Sequence, residues 1–271
     1  ERFVGKNMSI NLGRTDAMLM ESEQIKGEHY EVTDRIKVLI LEVSEDKRGA
    51  RIRLTRTHPD FIRCLFTEEV SEIRDGIVEI KDISREAGNR TKIAVYSNDP
   101  DVDPVGACVG MNGSRVNAVV SEIGKEKIDI IEWSDNAASF IENALAPAKV
   151  IAVVADSDEK RAKVVVPDFQ LSLAIGREGQ NARLAARLTG FRIDIKSESQ
   201  ARELGDEFID MSGYYDDVYD DDYEEGADSD EDASDSESDE YQEADDDQSD
   251  DYEDADTSEE EGSASDTDSE D

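Results

Sequence analysis

The chain has 271 residues, of which 69 are Asp or Glu and 30 are Lys or Arg, so its formal net charge at pH 7 is −39. It contains no run of about 18 apolar residues and no signal peptide, so no membrane span is predicted. Its two cysteines are isolated, which predicts neither a disulfide framework nor a metal site and favours the cytoplasm. Most of the charge lies in residues 201–271, where 35 residues are acidic and one, Arg202, is basic. Such a composition cannot bury enough apolar surface to fold, so residues 205–271 are predicted to form a disordered acidic tail.

The first segment, residues 1–57, is predicted to be β-structure. Apolar and polar residues alternate in residues 8–12 and again in residues 51–55, with a β-rich apolar run between them. Short strands at this spacing predict a small closed barrel. Three cations are expected along one of its faces: Arg51, Arg53 and Arg56. Because the chain begins without Met and inside a predicted strand, we expect it to be part of a longer protein.

After the barrel, the sequence predicts two units with the same order of elements. The first unit, residues 58–146, begins with a short helix and two strands that lead into a glycine turn, a helix and a third strand. The second unit, residues 147–204, has a hairpin around residues 156–158, followed by helix, glycine turn, helix and strand. Asp135 is the expected N-cap of the helix that closes the first unit.

The glycine turns are two copies of a Gly-x-x-Gly element, Gly110 to Gly113 and Gly176 to Gly179, about 66 residues apart. One copy would be weak evidence, because 17 glycines in this length give roughly one such pair by chance. Each copy, however, leads through an apolar-periodic stretch into an Ile-Asp-Ile strand. The parallel flanks indicate a duplicated module.

A Gly-x-x-Gly turn between two helices is suited to holding a nucleic-acid backbone. Glycine lets a phosphate approach without interference from a Cβ atom, and the amides at the start of the following helix favour an anion. Beside the turn, a helix and a strand form an apolar groove for unstacked single-stranded bases. The spacing and order of elements are those that a KH module requires.

Several longer strings in the sequence resemble the NusA family of bacterial transcription factors. These strings occupy residues 98–110, 113–116, 126–133 and 170–186. The resemblance covers residues 1–200 and implies an α+β fold, with an S1-type OB β-barrel at 1–57 and two type-II KH domains at 58–146 and 147–204. It also implies a transcription elongation factor, without enzymatic activity, that modulates pausing, intrinsic termination and antitermination.

The partners that the resemblance implies are single-stranded RNA, the RNA polymerase elongation complex and other antitermination factors, with no cofactor and no membrane. We expect the chain to lack the N-terminal domain with which this family binds polymerase. The acidic tail also differs from the folded acidic repeats of some members. Polymerase binding and the functions of those repeats are therefore not carried over.

The resemblance further implies which residues bind RNA. They are Gly110, Met111, Asn112, Gly113, Ser114 and Arg115 in the first domain, and Gly176, Arg177, Glu178, Gly179, Gln180, Asn181 and Arg183 in the second. The first loop has Met111 and Asn112 where a cation would help, which leaves Arg115 to supply the charge. No catalytic residue is expected, since no nucleophile or metal cluster accompanies the recurring aspartates.

Two other functions fit parts of the sequence. The chain could be the accessory module of an RNA-processing enzyme of the polynucleotide phosphorylase kind, which also joins KH and S1 units but in the reverse order. Alternatively, the acidic tail could be the functional part, as a nucleic-acid mimic or a polyanionic solubiliser.

Overall fold

The computed structural model describes residues 2–4, 6–46 and 49–204, and the predicted acidic tail at 205–271 lies outside them. Within these ranges, eleven strands and eight α-helices form three sheets and the helices that cover them. None of the described helices combines the length and the apolar character that crossing a membrane would need.

Five N-terminal strands form the first sheet. They are β1 (Arg2–Val4), β2 (Asn7–Asn11), β3 (Asp16–Leu19), β4 (Leu39–Asp46) and β5 (Gly49–Thr55). Their order is β1-β2-β3-β5-β4, and only the β3–β5 pair is parallel. The alternation seen in the sequence places Met8 and Ile10 of β2 inside, against Leu19 of β3 and Leu54 of β5. This mixed five-stranded order supports the S1-type OB interpretation.

The first KH domain follows the predicted order of elements. It contains α1 (Pro59–Glu69), α2 (Ser71–Arg74), β6 (Val78–Glu86), β7 (Arg90–Ser97), α3 (Pro104–Val109), α4 (Ser114–Ile123) and β8 (Lys127–Glu132). Proline occupies the start of α1 and α3, where its missing N–H costs nothing, and His58 and Asp103 cap these helices. In the sheet, β7 pairs antiparallel with β6 and parallel with β8.

The second KH domain repeats this arrangement. It contains α5 (Ala137–Ala144), β9 (Ala152–Asp156), β10 (Arg161–Val166), α6 (Leu171–Ile175), α7 (Gln180–Thr189), β11 (Arg192–Ser197) and α8 (Glu198–Glu203). The central strand β10 is antiparallel to β9 and parallel to β11. The cap predicted at Asp135 is wrong by one residue, because the side chain of Asn136 accepts from the amides of Ala138 and Ser139.

Strand register confirms the duplication. In the first domain Lys92 lies opposite Asp129, and in the second Lys163 lies opposite Asp194. The aspartates are the central residues of the two Ile-Asp-Ile strings, so the two strings occupy equivalent positions in equivalent sheets.

The two KH domains share one apolar cluster. Ala94 and Ile131, from the first sheet, pack with Phe140, Leu145 and Leu188 of the second domain, all of them buried. The outer face of the first sheet therefore carries helices α5 and α7 of the second domain. This packing fixes the distance and angle between the two glycine loops.

Candidate nucleic-acid interface

The two glycine loops have nearly identical backbone conformations. The first glycines, Gly110 and Gly176, have φ and ψ of 72° and 173° and of 76° and 170°. The last glycines, Gly113 and Gly179, are left-handed at 75° and 15° and at 73° and 16°. The third residue of each loop, Asn112 or Glu178, is also left-handed although it is not glycine. Two sequences that differ at both middle positions thus form the same turn.

The first glycine of each loop is required by the close approach of the next helix. A Cβ on Gly110 would lie 2.8 Å from Cγ of Arg115, and one on Gly176 would lie 2.8 Å from the backbone nitrogen of Asn181. At the last position the two loops differ, since a Cβ on Gly179 would meet nothing within 4 Å and one on Gly113 would lie 3.2 Å from Nδ2 of Asn117. The last glycine therefore serves the left-handed backbone and leaves the surface of the loop accessible.

Helices α4 and α7 begin without a side-chain cap. Their N-cap residues are Gly113 and Gly179, which have no side chain to accept from the first-turn amides. Helices α1, α3, α5 and α8, in contrast, are each capped by a side chain, and the short helices α2 and α6 also lack such a cap. The uncapped amides, together with the positive end of the helix dipole, provide two anion-binding positions.

The middle residues of both loops point into solvent. Met111 is 86% exposed, and the side chain of Arg177 is 93% exposed, with only a loose 3.9 Å pairing to the neighbouring Glu178. Arg177 is therefore available to a phosphate. The first loop has no comparable cation at its tip, because Met111 and Asn112 occupy the middle positions.

The other cations predicted for the site are already bound by glutamates. Arg115 donates to Glu72 at 2.9 Å and to the carbonyl of Ala107. The pKa of Glu72 is lowered chiefly by a hydrogen bond from its own backbone amide, and further by hydrogen bonds from Ser71 and Arg115. Arg183 donates through Nε to Glu86 at 2.7 Å. In the free protein, the positive charge that the sequence suggested for these loops is partly neutralised.

Asn181, which the family resemblance placed in the RNA-binding set, is buried. Its amide donates at 3.0 Å to the carbonyls of Leu145 and Ala174 and so ties the start of α7 to α5 and α6. The side chain thus positions the loop and does not reach solvent.

Apolar side chains that are partly exposed flank both loops. They are Val109, Val116, Ile128 and Ile130 beside the first loop, and Ile175, Ala182, Ile193 and Ile195 beside the second. In each domain they belong to two helices and a strand that contact one another. These surfaces are suited to unstacked bases next to a phosphate-binding loop.

The cationic face predicted for the N-terminal sheet is only partly present. Arg51 is exposed, and Arg53 is exposed but pairs with Glu42 at 3.1 Å. Arg56 does not belong to that face, because its side chain is 2% exposed and is held by Glu28 and Glu122. The expectation for Arg56 was wrong because the strand and its alternation end at Thr55. The side chain of Arg56 instead lies in the junction with α4, where it donates to the carbonyl of Glu122.

Two residues of the site were not found from the sequence. Arg187 lies one turn after Arg183 on α7 and also donates to Glu86, at 2.7 Å. The spacing of the two arginines by four residues was a usable signal for a shared helix face. Glu86 itself had no local signal, since its partners are about a hundred residues away in the sequence.

Comparisons with known proteins agree with this architecture. Residues 56–133 match the model of the NusA-like first KH domain, and residues 137–203 match that of the NusA-like second KH domain. The chain is 53% identical over 205 residues to the transcription termination/antitermination protein NusA of Bacillus subtilis, covering 76% of this chain and 55% of that protein.

Proteins with the same name from other bacteria are also similar. That of Mycobacterium tuberculosis is 53% identical over 186 residues, which cover 68% of this chain and 54% of that protein. That of Thermus thermophilus is 46% identical over 198 residues, which cover 73% and 51%. The chain therefore spans about half the length of the relatives that it matches.

Proposed function

The chain belongs to the NusA family, and we propose from this that it is an RNA-binding transcription elongation factor. In this proposal it binds nascent single-stranded RNA and thereby modulates pausing, intrinsic termination and antitermination. The names of the relatives, which refer to transcription termination and antitermination, support this function.

The observation that carries the proposal is the pair of matching phosphate loops held in one packed unit. Each loop presents uncapped amides at the start of a ten-residue helix and lies beside partly exposed apolar side chains. A KH loop clamps about four nucleotides, so two loops fixed by a shared core can bind one RNA of about eight nucleotides or longer. Binding at two linked positions strengthens attachment well beyond that of either loop alone.

The proposed RNA contacts are those of the loops and the helix starts. They comprise Gly110, Met111, Asn112, Gly113, Ser114 and Arg115, and Gly176, Arg177, Glu178, Gly179, Gln180 and Arg183. Asn181 contributes by positioning its loop. The proposal keeps domain limits at 1–57, 58–146, 147–204 and 205–271, although α5 lies before residue 147 and packs in the core of the second KH domain.

The wider setting is part of the same proposal. The protein acts in the cytoplasm, without catalysing a reaction, together with the RNA polymerase elongation complex and other antitermination factors. These partners come from the family, and the chain spans only about half of its relatives.

The test is a crosslinking map on the whole chain. A single-stranded RNA of about 12 nucleotides, which accommodates two KH footprints, is labelled with 4-thiouridine, and crosslinked peptides are identified by mass spectrometry. Crosslinks are expected in both loops, around Met111 and Arg177. Absence of binding, or crosslinks confined to the N-terminal sheet, would overturn the proposal.

A further inference from the structure

Glu86, the last residue of β6, is the acceptor of a compact set of donors from the second KH domain. Gln180 donates through Nε2 at 2.9 Å, Arg183 through Nε at 2.7 Å and Nη2 at 3.2 Å, and Arg187 through Nη2 at 2.7 Å. All three donors lie along one face of α7. These hydrogen bonds, the strongest from Arg183, lower the pKa of Glu86 to about 2.

This donor set has the composition of an oxyanion site. One side of an Arg guanidinium offers two parallel N–H groups to two oxygens of an anion, as Arg183 does here with the two oxygens of Glu86. A second guanidinium and an amide complete the set. A phosphate group presents the same kind of acceptor, with more oxygens and a negative charge of its own.

The position of the set links it to the second phosphate loop. Gln180 is the first residue of α7 and directly follows Gly179, and Arg183 and Arg187 continue along the helix. Their side chains are 46% and 48% exposed, so a ligand can reach both guanidinium groups from solvent. An RNA backbone held at the loop would bring its next phosphate towards this face.

The surroundings of Glu86 allow its carboxylate to be displaced. A cleft of about 420 Å³ opens beside it, and its lining consists of Glu21, Ser22, Gln24, Lys26, Thr57 and the turn at residues 86–89. The cleft gives the side chain room to turn away from α7 without disturbing the apolar cluster that joins the two domains.

We propose that Glu86 occupies, in the free protein, a phosphate-binding position formed by Gln180, Arg183 and Arg187, and that an RNA phosphate replaces its carboxylate on binding. This inference rests on the proposed RNA-binding function and adds Arg187 to the contact surface. Because Glu86 belongs to the same chain as the arginines, it is always present to compete with a phosphate for them. RNA that does not also engage the loop is therefore bound more weakly.

The test compares Glu86→Gln with Glu79→Gln in the whole chain. Both variants remove one negative charge from β6, but Glu79 is half exposed and, among the residues that the structure describes, pairs with Lys81 alone. Affinity for a fluorescent single-stranded RNA of about 12 nucleotides is measured between about 50 and 200 mM salt. Each phosphate contact by a cation changes the slope of log affinity against log salt by about 0.7 for a single strand.

Glu86→Gln is expected to bind RNA at least about threefold more tightly than wild type at low salt, because no carboxylate has to be displaced, and with the slope of wild type, because the same arginines contact phosphate in both complexes. Glu79→Gln should change affinity by less than half as much and leave the slope unaltered. Arg187→Gln, which tests the same site with the glutamate in place, should flatten the slope by up to about 0.7. In the Arg183→Gln/Arg187→Gln double variant, adding Glu86→Gln should give no gain.

Three other results would overturn the inference. If wild type binds RNA but Glu86→Gln binds it equally or more weakly, Glu86 only joins the domains and the inference is wrong. If Glu86→Gln fails to fold, an unaltered slope in Arg187→Gln overturns it in the same way. If wild type binds no RNA at all, the proposed function fails, and the inference fails with it.

Discussion

Arg56 donates two hydrogen bonds to Glu122, one to its carboxylate at 3.1 Å and one to its backbone carbonyl at 2.8 Å. The same guanidinium binds both carboxylate oxygens of Glu28. Arg56 follows the last strand of the N-terminal sheet, and Glu122 lies near the end of α4, the helix that begins at the first phosphate loop. The pair therefore connects the N-terminal region to the first KH domain at the far end of the helix that binds RNA in our proposal.

Replacing Arg56 should destabilise this junction. Arg56→Gln leaves Glu28 and Glu122 without their main partner in a poorly solvated place, and we expect a loss of about 2 to 4 kcal/mol in unfolding free energy. Arg53→Gln is the matched control, because its pair with Glu42 is exposed and should contribute less than about 0.5 kcal/mol. Urea denaturation followed by circular dichroism measures both, and equal stability of the two variants would contradict the role of Arg56.

The second phosphate loop can be tested by a charge placed where the phosphate is expected. Gly179→Asp puts a carboxylate beside the uncapped amides of α7, so we expect RNA affinity to fall by about tenfold. Asn and Asp tolerate the left-handed conformation, and the Cβ meets nothing within 4 Å, so the fold should persist.

Two controls separate charge from shape at this loop. Gly179→Asn adds a side chain of the same size without the charge and should lose less than about threefold in affinity. Gly190→Asp adds the same charge at the other end of α7, where φ is 75° and the Cβ again meets nothing within 4 Å. If all three variants bind RNA like wild type, the loop does not hold phosphate.

Local patterns in the sequence predicted the main strands and the glycine loops, but not the short helices α2 and α8. The recurrence of Ile-Asp-Ile after each Gly-x-x-Gly predicted equivalent strands, and the register of Asp129 and Asp194 confirms it. The positions of the glycines predicted two turns of one type, because left-handed backbone and close helix approach both require glycine there.

Contacts between distant residues could not be predicted in this way. Glu86 and Arg183 are 97 positions apart, and neither strand alternation nor helix periodicity carries information on such a pair. The burial of Asn181 has the same cause, since its acceptor at Leu145 belongs to another helix. The choice between Asp135 and Asn136 as a cap depended on one turn of backbone, for which adjacent Asp and Asn are equally suitable.

The hydrogen bonds to Glu86 should make stability depend on pH. Its pKa in the folded protein is about 2, below the ordinary value of 4.5, so its stabilising effect is complete above pH 4.5 and disappears as pH falls towards 2. At pH 7 the unfolding free energy of wild type should exceed that of Glu86→Gln by about 1 to 2 kcal/mol, a figure that allows for screening by solvent. Denaturation of both proteins at several pH values measures the difference, and a difference that is constant down to pH 2 would contradict this assignment.

Single-stranded RNA should bind much better than duplex RNA. The partly exposed apolar side chains beside each loop, such as Ile130 and Ile195, can contact only bases that have left a helical stack. The deep, narrow major groove of A-form RNA does not admit side chains that could read its bases, so a duplex offers the loops only its phosphates. Competition between an unstructured RNA and a hairpin of equal length should favour the unstructured RNA by about tenfold or more, and the preference should persist as salt rises, because base contacts are screened less than phosphate contacts. Equal affinity for both, falling in parallel with salt, would mean that the chain attaches to RNA by charge alone and that the apolar surfaces beside the loops have another use.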